Sequence, residues 1–588
     1  MTIATQTAPA GTETGGADGG LLPNALRLLE DRYLRRLKDG FESPGELFRR
    51  VARSVASADM FYRKSTNEVA ATEEAFYGML NRLEFLPNSP TLLNAGSRFG
   101  QLSACFVLPV EDSIQGIFST LMNAAEIHKS GGGTGFSFSS LRPAGSRLDG
   151  TKMIAKGPLA YLHLYNQAMG VVEQGGVRRG GNMGVLRADH PDIFDFIRCK
   201  AQEGVLSNFN ISVAVTDEFM RCLEEKRNFD LVDPNTRKRT PVNPEKLWAA
   251  LISAAHANGE PGVIFIDTVN RHNPTPAVPM EATNPCGEQP LLPYESCNLG
   301  SLNLSKFVRQ RGIDYPGLER AVRRAVHFLD NVIDINNYPL ARLKHTAEAN
   351  RKIGLGVMGF ADMLISLNVP YDSDTALQLA SKIMAFVKTA AVEASEALAA
   401  DRGPFPNFPS SVYAGGPERR NATITTIAPT GSISLIAGCS SGVEPLFAVS
   451  HLNSGETGEF RVINPLFENI ARTEGFHSEE LMLKIDRNGG SVKGLAGVPE
   501  AARKLFSTAA DIPPSRHVRM QAEFQKHTDN AVSKTVNLPN SAATEEISDL
   551  YKLAWKEGCK GITVYRDGSR NSQPLTAGGG CATGTCGL

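Results

Sequence analysis

The sequence has no excess charge of either sign, no long apolar run and no basic leader. Lys and Arg total 61 and Asp and Glu total 62, so the net charge of −1 indicates neither a nucleic-acid partner nor an anionic membrane surface. Residues 1 to 20 contain no Lys or Arg, and no apolar run nears the roughly 18 residues needed to cross a bilayer. We therefore expect a cytoplasmic protein, in a compartment where thiols stay reduced.

The sequence also lacks a Cys-x-x-Cys pair among its nine cysteines. This absence, together with the great chain length, argues against a plain thiol-disulfide oxidoreductase. In a reducing compartment a disulfide scaffold is not expected either, so the cysteines indicate chemistry or core packing.

The order of patterns along the chain predicts four regions: a disordered tail over 1–20, helices over 21–85, an α/β domain over 86–570 and a flexible tail over 571–588. Leu22, Leu26, Leu29, Tyr33 and Leu37 recur at helical spacing. Ser43-Pro-Gly-Glu46 predicts a capping box at the start of a second helix, and two or three helices are expected before residue 86. Beyond residue 86, short β-branched runs such as 424–427 and 562–565 alternate with helical stretches, which favours parallel strands in an α/β fold.

Asn284-Pro-Cys286-Gly-Glu288 places an amide, a thiol and a carboxylate at alternate positions. In an extended segment these three side chains share one face and can enter one pocket. A buried loop cysteine with satisfied neighbours is the simpler interpretation, and on spacing alone it is favoured.

Four further cysteines are open to two interpretations each. Cys105 and Cys297 have small or apolar neighbours, so each alone is typical of an inert core thiol. Cys581 and Cys586 lie in a Gly- and Thr-rich tail, where they form either an exchanging thiol pair or half of a zinc site. A zinc site needs two more ligands, and only Cys559 is an obvious candidate.

Seven segments in a fixed order resemble the ribonucleotide reductase family, and especially its class II, adenosylcobalamin-dependent members. They are Asn88-Ser-Pro-Thr-Leu-Leu-Asn-Ala-Gly96, Leu102-Ser-Ala-Cys105, Lys129-Ser-Gly-Gly-Gly-Thr-Gly135, Gly175-Gly-Val-Arg-Arg179, Asn284-Pro-Cys-Gly-Glu288, Ala428-Pro-Thr-Gly-Ser432 and the terminal cysteine pair. The resemblance implies a ten-stranded α/β barrel made of two antiparallel-related halves of parallel strands. A radical-bearing finger loop runs through its centre, and a small helical region precedes it.

The resemblance implies a mechanism for making 2′-deoxyribonucleotides, with diphosphates as the nearer substrate match. A 5′-deoxyadenosyl radical from adenosylcobalamin takes hydrogen from Cys286, and the thiyl abstracts the 3′-hydrogen of the ribose. Glu288 is the general base and Asn284 holds the hydroxyls. Cys105 and Cys297 supply two reducing equivalents, and Cys581 and Cys586 re-reduce their disulfide with help from thioredoxin or a similar reductant.

The resemblance also implies two nucleotide sites and a homodimer. Substrate phosphates are expected at Ser89, Ala104, Gly133, Pro429, Thr430, Gly431, Ser432 and Ile433; without the resemblance, 428–432 is an ordinary turn. A deoxynucleotide or ATP effector that sets substrate specificity is expected at Asp112, Ser113, Ile114, Lys129 and Arg142. Arg178 or Arg179, in a second loop over 175–182, is expected to contact the substrate base; the plain alternative is a solvated basic turn.

Three nucleotide- or cofactor-binding motifs were considered, and none of them is predicted to form a site here. The stretch 129–135 lacks the Gly-Lys-Ser/Thr ending of a P-loop, so an ATPase is not predicted. Gly354-Leu-Gly-Val-Met-Gly359 fits a dinucleotide fingerprint, but no buried strand precedes it, and a tight packing site for backbone is favoured. No Asp-x-His-x-x-Gly cobalamin motif is present, and class II reductases do not use it.

Two alternatives concern the kind of protein within this resemblance. A class I-type catalytic subunit would need a separate metalloprotein and paired tyrosines near the C-terminus, whereas the comparable stretch 561–566 has the single Tyr565. Class III is disfavoured because no glycyl-radical segment is present near the end. A non-catalytic nucleotide sensor is disfavoured by the intact set of Asn284, Glu288 and three site cysteines.

Overall fold

A layer of helices forms the first part of the chain in the computed structural model, which describes residues 21–570 except 39, 148–151, 175–177, 180, 311 and 456–457. Its elements are α1 (Pro23–Arg32), β1 (Arg36–Leu37), β2 (Gly40–Phe41), α2 (Pro44–Ala56), a 3-10 helix (Ser57–Tyr62), α3 (Thr66–Asn81), β3 (Phe85–Pro87) and α4 (Ser89–Asn94). The helices predicted before residue 86 are confirmed.

The start of α2 has the predicted capping box. Ser43 Oγ accepts a hydrogen bond from the Glu46 amide at 3.3 Å, and the Glu46 carboxylate accepts one from the Ser43 amide at 2.7 Å. The helical spacing predicted up to Leu37 is wrong at its end, because α1 stops at Arg32 and Leu37 lies exposed in the β1–β2 hairpin.

The next part of the chain supplies five parallel strands, each followed by helices. The strands are β4 (Cys105–Pro109), β5 (Gly133–Ser137), β8 (Asn182–Arg187), β9 (Phe209–Val215) and β12 (Gly262–Phe265). Between and after them lie α5 (Ile114–Lys129), α6 (Gly157–Met169), β6 (Glu173–Gln174), β7 (Arg178–Arg179), α7 (Ile193–Arg198), α8 (Asp217–Glu225), β10 (Phe229–Val232), β11 (Arg239–Val242), α9 (Pro244–Asn258) and α10 (Ile266–Arg271).

The rest of the chain supplies the second set of strands and a larger number of helices. Its strands are β13 (Ala282–Thr283), β14 (Pro290–Leu291), β15 (Glu295–Asn303), β16 (Val308–Arg309), β17 (Gly312–Ile313), β18 (Ile353–Met358), β19 (Ser450–Gly455), β20 (Gly458–Ile463), β21 (Thr535–Leu538) and β22 (Gly561–Arg566). Its helices are α11 (Tyr315–Ile335), α12 (Ala341–Asn350), α13 (Phe360–Ser366), α14 (Asp374–Arg402), α15 (Gly431–Ala437), α16 (Pro465–Thr473), α17 (Glu479–Arg487), α18 (Glu500–Leu505), α19 (Pro514–Gln525) and α20 (Thr544–Lys556), with 3-10 turns at Leu304–Phe307 and Phe408–Ser410.

The strands close into a barrel with two antiparallel seams. The hydrogen-bonded order is β18-β15-β4-β5-β8-β9-β12-β22-β21. Parallel bridges Leu355↔Thr425 and Ile427↔Val532 insert the segment 423–427 between β18 and the chain that leads into β21, which closes the ring. Pairing is antiparallel at β15/β4 and β12/β22 and parallel elsewhere around the ring. The predicted barrel of two opposed halves is confirmed.

The barrel interior contains a small apolar cluster, to which β4 contributes Cys105 and Val107 and β15 contributes Cys297 and Leu299. The helices around the barrel pack in two larger clusters of their own. Because most of the apolar packing lies outside the barrel, loops and polar side chains can occupy the rest of its interior. No helix within the described ranges is long and apolar enough to cross a membrane.

The fingerprint-like stretch 354–359 lies mainly in strand β18, so the prediction of a packing site is confirmed. A Cβ at Gly356 would lie 2.3 Å from the Thr426 carbonyl oxygen, and one at Gly354 would lie 2.4 Å from Leu299 Cδ2. These glycines therefore allow the segment 423–427 and β15 to approach β18 closely.

Candidate active site

A short hairpin, the finger, carries Asn284, Cys286 and Glu288. Its arms are β13 and β14, which pair in antiparallel register, and residues 284–289 form its tip. Within the tip, the Gly287 amide donates to the Asn284 carbonyl at 3.1 Å and the Gln289 amide donates to Asn284 Oδ1 at 3.0 Å. Gly287 has φ +81°, a conformation that favours glycine.

The tip is a loop, as Pro285 and Gly287 favour, and it does not place the three side chains on one face. Asn284 and Glu288 are buried, whereas Cys286 is exposed. The turn, rather than strand alternation, brings the amide and the carboxylate together while the thiol stays accessible.

The finger passes through the barrel and contacts both halves of it. On one side, Asn210 Nδ2 of β9 donates to the Pro285 carbonyl at 3.0 Å. On the other, the Glu288 carbonyl accepts from the Ala531 amide at 2.9 Å and from Thr426 Oγ1 at 3.0 Å. The backbone of the finger is therefore held from strands on opposite sides of the ring.

Glycines of β5 make room for the finger. A Cβ at Gly135 would lie 1.7 Å from the Thr283 carbonyl oxygen, and one at Gly133 would lie 3.0 Å from Pro285 Cγ. Part of the Gly-rich stretch 129–135 is thus explained by the close crossing of the two backbones.

Cys105 and Cys297 face each other across the seam between β4 and β15. The two residues are directly paired in the antiparallel register, and both are buried. Cβ atoms of such pairs lie roughly 4.5–5.5 Å apart, close to the roughly 3.5–4.5 Å found across a disulfide. A small shift would therefore suffice to join the two sulfur atoms.

Asn284 and Glu288 of the finger meet this cysteine pair. Asn284 Nδ2 donates to Cys105 Sγ at 3.1 Å, and Glu288 Oε1 lies 4.0 Å from the same sulfur. Burial raises the pKa of the Glu288 carboxyl to about 7, while the amide of Asn284 lowers it. Glu288 Oε2 is buried without a hydrogen-bond partner in the described part of the chain. An acceptor with a pKa near neutrality is thus available for a bound hydroxyl group.

Both thiols of the pair are held in the protonated form. Burial is the main cause that raises the pKa of Cys105 and of Cys297 well above the ordinary value, and the Glu288 carboxylate adds to both shifts. Protonated thiols are hydrogen donors, so the pair can deliver two hydrogens and become a disulfide.

The segment 428–433 forms the predicted turn, and a helix that the sequence did not predict starts within it. Thr430 has φ +59°, α15 begins at Gly431, and the Gly442 amide donates to Thr430 Oγ1 at 2.7 Å. Ala428 packs in the interior cluster beside Ala104, and the Gly133 amide donates to the Ala104 carbonyl at 2.9 Å.

The neighbouring helices complete this side of the barrel. α15 lies against β3, which leads directly into Ser89 at the start of α4, and α1 also packs against α15. Ser89 Oγ lies 2.8 Å from the Tyr33 hydroxyl. The turn that starts α15 and the residue Ser89 therefore lie on segments that are joined through β3.

Four of the seven predicted effector residues, Asp112, Ser113, Ile114 and Arg142, lie at the start of α5. Arg142 Nε donates to Asp112 Oδ2 at 2.7 Å, Ser113 caps α5 by accepting from the Gly116 amide at 2.9 Å, and Ile114 is exposed. Lys129 lies at the other end of this helix of 16 residues, about 24 Å away. The structure does not bring Lys129 together with the other four.

The second predicted effector loop is described only in part. Arg178–Arg179 form β7, which pairs with β6, whereas Gly175, Gly176, Val177 and Gly180 lie outside the described residues. Cys581 and Cys586 of the tail, with the rest of 571–588, also lie outside them, as does the segment 1–20.

A buried histidine that the sequence did not single out anchors the end of the second loop. His128 Nε2 lies 2.9 Å from both Thr134 Oγ1 and Asn182 Oδ1, and Asn182 Nδ2 donates to the Asn208 carbonyl at 2.8 Å. Burial lowers the pKa of His128 to about 4, so a neutral imidazole donates to Asn182. No sequence signal marks these residues, because α5, β5 and β8 meet only in the fold.

Comparison with known proteins identifies the family to which the chain belongs. The model of the "ribonucleotide reductase, barrel domain" matches residues 103–419 and 418–565, and that of the "ribonucleotide reductase, all-alpha domain" matches 21–100. A vitamin B12-dependent ribonucleoside-diphosphate reductase of Mycobacterium tuberculosis is 48% identical over 96% of this chain and 84% of the relative. One from Thermoplasma acidophilum is 46% identical over 94% of this chain and 80% of the relative.

A solved structure extends the likeness to three dimensions. The alpha subunit of the class Id ribonucleotide reductase of Actinobacillus ureae aligns with a TM-score of 0.78 and 25% identity, over 93% of this chain and 97% of that one. These matches span nearly the whole chain, and we conclude that this chain belongs to the ribonucleotide reductase family.

Proposed function

We propose that the protein reduces ribonucleoside diphosphates to 2′-deoxyribonucleoside diphosphates, with adenosylcobalamin as its cofactor. The relatives at 46–48% identity are named vitamin B12-dependent ribonucleoside-diphosphate reductases. The observation that carries the proposal is the pairing of Cys105 with Cys297 beneath a finger that holds Asn284 and Glu288 against them.

Each finger residue has a role that suits its surroundings. Bound adenosylcobalamin supplies an organic radical that can remove the hydrogen atom of the Cys286 thiol. The Cys286 thiyl takes the 3′-hydrogen of the ribose, Glu288 accepts the proton of the 3′-hydroxyl, and Asn284 orients the hydroxyl groups. One thiol hydrogen leaves with the 2′-hydroxyl as water and the other takes the place of this hydroxyl on C2′, so Cys105 and Cys297 become a disulfide. Cys286 then returns its hydrogen to C3′, and Glu288 returns the proton to the 3′-oxygen.

The exposure of the three thiols fits a large cofactor at Cys286. Cys286 is exposed on the finger, whereas Cys105 and Cys297 are buried below it. A bulky reagent can therefore reach the first thiol without disturbing the pair that stores the reducing equivalents.

The surroundings of Tyr565 count against a class I-type subunit. The residue after it is Arg566, whose Nε donates to the His256 carbonyl at 3.0 Å and whose Nη1 donates to the Asn540 carbonyl at 3.2 Å. Arg566 thus has a structural role at the position where a second tyrosine of a radical relay would be required.

We assign the substrate phosphates to the turn that starts α15, with Pro429, Thr430, Gly431, Ser432 and Ile433, and to Ser89, Ala104 and Gly133. The amides at the start of this helix have no side-chain cap, so they are available to phosphate oxygens.

We assign a nucleotide effector to the start of α5, at Asp112, Ser113, Ile114 and Arg142. Lys129 would join this site only from another direction, given its distance along the helix. Arg178 or Arg179 remains our proposal for contact with the substrate base.

An exposed apolar stripe supports a homodimer through α5. Ile114, Phe118 and Met122 follow one another at intervals of four residues and are 65%, 49% and 63% exposed, so they share one face of the helix. A second copy of α5 would cover this stripe, and the proposed effector site would then lie at the edge of the subunit contact.

We propose that Cys581 and Cys586 re-reduce the disulfide after each turnover and are in turn reduced by thioredoxin or a similar protein. A compartment that keeps thiols reduced, such as the cytoplasm, suits this cycle. We also propose the division of the chain into regions 1–20, 21–85, 86–570 and 571–588. The last region would be the flexible segment that carries Cys581 and Cys586.

A reconstituted assay tests the proposal. Purified protein is mixed with each ribonucleoside diphosphate, dithiothreitol and adenosylcobalamin, and deoxynucleotides are separated by chromatography. Product that depends on adenosylcobalamin is expected. Absence of product under all conditions contradicts the proposal, and product that requires an added metalloprotein subunit would favour the class I alternative.

A further inference from the structure

His128, in the last turn of α5, joins the beginnings of two barrel strands. Its Nε2 atom lies 2.9 Å from Thr134 Oγ1 and 2.9 Å from Asn182 Oδ1, and Thr134 Oγ1 donates to Asn182 Oδ1 at 2.7 Å. Thr134 and Asn182 pair directly in the register between β5 and β8. All three side chains are buried, so bulk water does not compete for these hydrogen bonds.

The surroundings of the imidazole define which nitrogen carries the proton. Nε2 faces two oxygen atoms that can accept, whereas Nδ1 is buried with no hydrogen-bond partner in the described part of the chain. A proton on Nδ1 would therefore be a buried donor without an acceptor, which is costly. Burial also lowers the pKa of His128 to about 4. At neutral pH the bridge is thus an uncharged Nε2–H donor.

Pro285 of the finger packs on the inner side of the same two strand ends. Successive residues of a strand point to opposite faces, so Gly133 and Gly181, which precede Thr134 and Asn182, face the barrel interior. A Cβ at Gly133 would lie 3.0 Å from Pro285 Cγ, and one at Gly181 would lie 3.5 Å from Pro285 Cβ. The histidine bridge and the proline therefore lie on opposite sides of the sheet at the same position.

The ladder between β5 and β8 ends at this position. β5 begins at Gly133 and β8 at Asn182, and the Thr134 amide donates to the Gly181 carbonyl at 3.3 Å, longer than the usual range of roughly 2.7–3.2 Å. The ends of hydrogen-bonded elements open more readily than their centres. A side-chain bridge at this end therefore keeps the two strands at the spacing against which Pro285 packs.

We propose that His128 is a positioning residue for Cys286: by holding β5 to β8 it fixes the surface on which Pro285 packs, and with it the direction of the thiol that follows. Asn210 Nδ2, which donates to the Pro285 carbonyl at 3.0 Å, holds the backbone of the same residue from β9. The inference rests on the proposed function only in taking Cys286 as the reacting thiol.

Hydrogen exchange followed by mass spectrometry measures how firmly the finger is held. The amides of Gly287 and Gln289, which both donate to Asn284, report on its tip, and a peptide from α14 reports on the rest of the fold. We expect His128→Phe, which keeps a ring but no donor, to accelerate exchange in the finger about tenfold and in α14 less than about twofold. Unchanged exchange in the finger, or equal acceleration in both peptides, overturns the proposal.

Two matched variants separate loss of the hydrogen bonds from loss of a buried histidine. His128→Gln keeps an N–H donor at a similar reach, and exchange in the finger should return to within about threefold of the wild type. His190→Phe removes another buried histidine, whose Nε2 lies 2.9 Å from the Leu141 carbonyl oxygen, and should leave exchange in the finger unchanged. Acceleration by His190→Phe as large as that by His128→Phe contradicts the proposal.

Single-turnover kinetics with pre-reduced enzyme tests whether the position of the thiol matters to the reaction. A small misplacement of reacting atoms slows the chemical step in the bound complex, so we expect the maximal rate of His128→Phe to fall about tenfold. The ribonucleotide concentration that gives half of this rate should stay unchanged. An unchanged maximal rate overturns the proposal, and a higher half-saturating concentration alone would place the effect at the proposed phosphate site around Gly133 and overturn it too.

Thr134→Val tests the same bridge without touching the histidine. Valine has the shape of threonine but no hydroxyl group, so exchange in the finger should accelerate about threefold. Unchanged exchange in this variant counts against the proposal even if His128→Phe fails to fold. Hydrogen exchange needs neither nucleotide nor cobalamin, so it can contradict the inference while deoxynucleotide formation succeeds, and the reverse.

Discussion

Replacing Glu288 with Gln should stabilise the protein at alkaline pH while it abolishes activity. The carboxyl group is fully buried, and one of its oxygen atoms has no hydrogen-bond partner in the described part of the chain. Burial raises its pKa from 4.5 to about 7. Each pKa unit corresponds to about 1.4 kcal/mol, so ionisation of Glu288 opposes folding by about 3 kcal/mol.

The sign of this effect follows from which state holds the proton more tightly. Below pH 4.5 the carboxyl group is protonated in the folded and the unfolded chain, and no cost arises. Between pH 4.5 and about 7 the unfolded chain releases the proton first, so the contribution of Glu288 to stability falls as the pH rises. Above this window the full cost of a buried carboxylate is present, and the neutral amide of the Glu288→Gln variant does not incur it.

Urea unfolding of the wild type and of Glu288→Gln at pH 5 and pH 8, followed by fluorescence, measures the difference. We expect the variant to gain about 3 kcal/mol at pH 8 and far less at pH 5. Deoxynucleotide formation by the wild type should rise with pH through about 7, the pKa of the base. A variant that is no more stable than the wild type at pH 8 would refute the electrostatic reasoning.

Three further predictions concern the finger and its supports. Cys286→Ser should form no deoxynucleotide while its cobalamin absorbance titration matches the wild type, and product from this variant would contradict the radical assignment. Gly135→Ala should destabilise the protein by about 3 kcal/mol or more in urea unfolding and abolish activity, because its Cβ would overlap the Thr283 carbonyl oxygen. Gly312→Ala, whose Cβ would meet its nearest atom at 3.5 Å, is the matched control and should be near neutral. Finally, the pKa of His128 is lowered from 6.5 to about 4, so the contribution of this residue to stability should fall by up to about 3 kcal/mol as the pH falls through that window, opposite in sign to the contribution of Glu288. The difference in stability between the wild type and His128→Gln isolates it, and a difference that does not change with pH would contradict this.

Local patterns predicted local structure well. The spacing of Ser43 and Glu46 predicted a capping box because both partners lie within one helical turn. The β-branched run 424–427 predicted an extended segment, because the preference of β-branched residues for strands is also local. The glycine stretch 354–359 was interpreted correctly as a packing site, because a dinucleotide fingerprint requires a preceding strand that the sequence does not contain.

Features that depend on distant parts of the chain did not follow from local patterns. The alternate spacing of Asn284, Cys286 and Glu288 allowed one shared face, but the tip of the finger turns at Gly287. Lys129 and Asp112 were predicted at one effector site, and the length of α5 separates them. The pairing of Cys105 with Cys297 was implied only by the resemblance, because the sequence of neither strand determines the register across the barrel.

The same was true of the charges around the seam. Glu295 and Lys352 are ordinary charged residues in the sequence, and nothing near them predicts complete burial. Their pairing becomes visible only when β15 and β18 are placed side by side.

The position of the cysteine pair at a seam between the two halves of the barrel has a mechanical consequence. A bond between Cys105 and Cys297 would staple the halves together and close a loop of roughly 190 residues, which in the chain-entropy treatment disfavours the unfolded chain by about 5 kcal/mol. The oxidised protein should then withstand more denaturant than the reduced one. Each catalytic cycle would form and reduce this covalent link between the two halves of the barrel, so the stability of the fold would depend on the redox state of the enzyme.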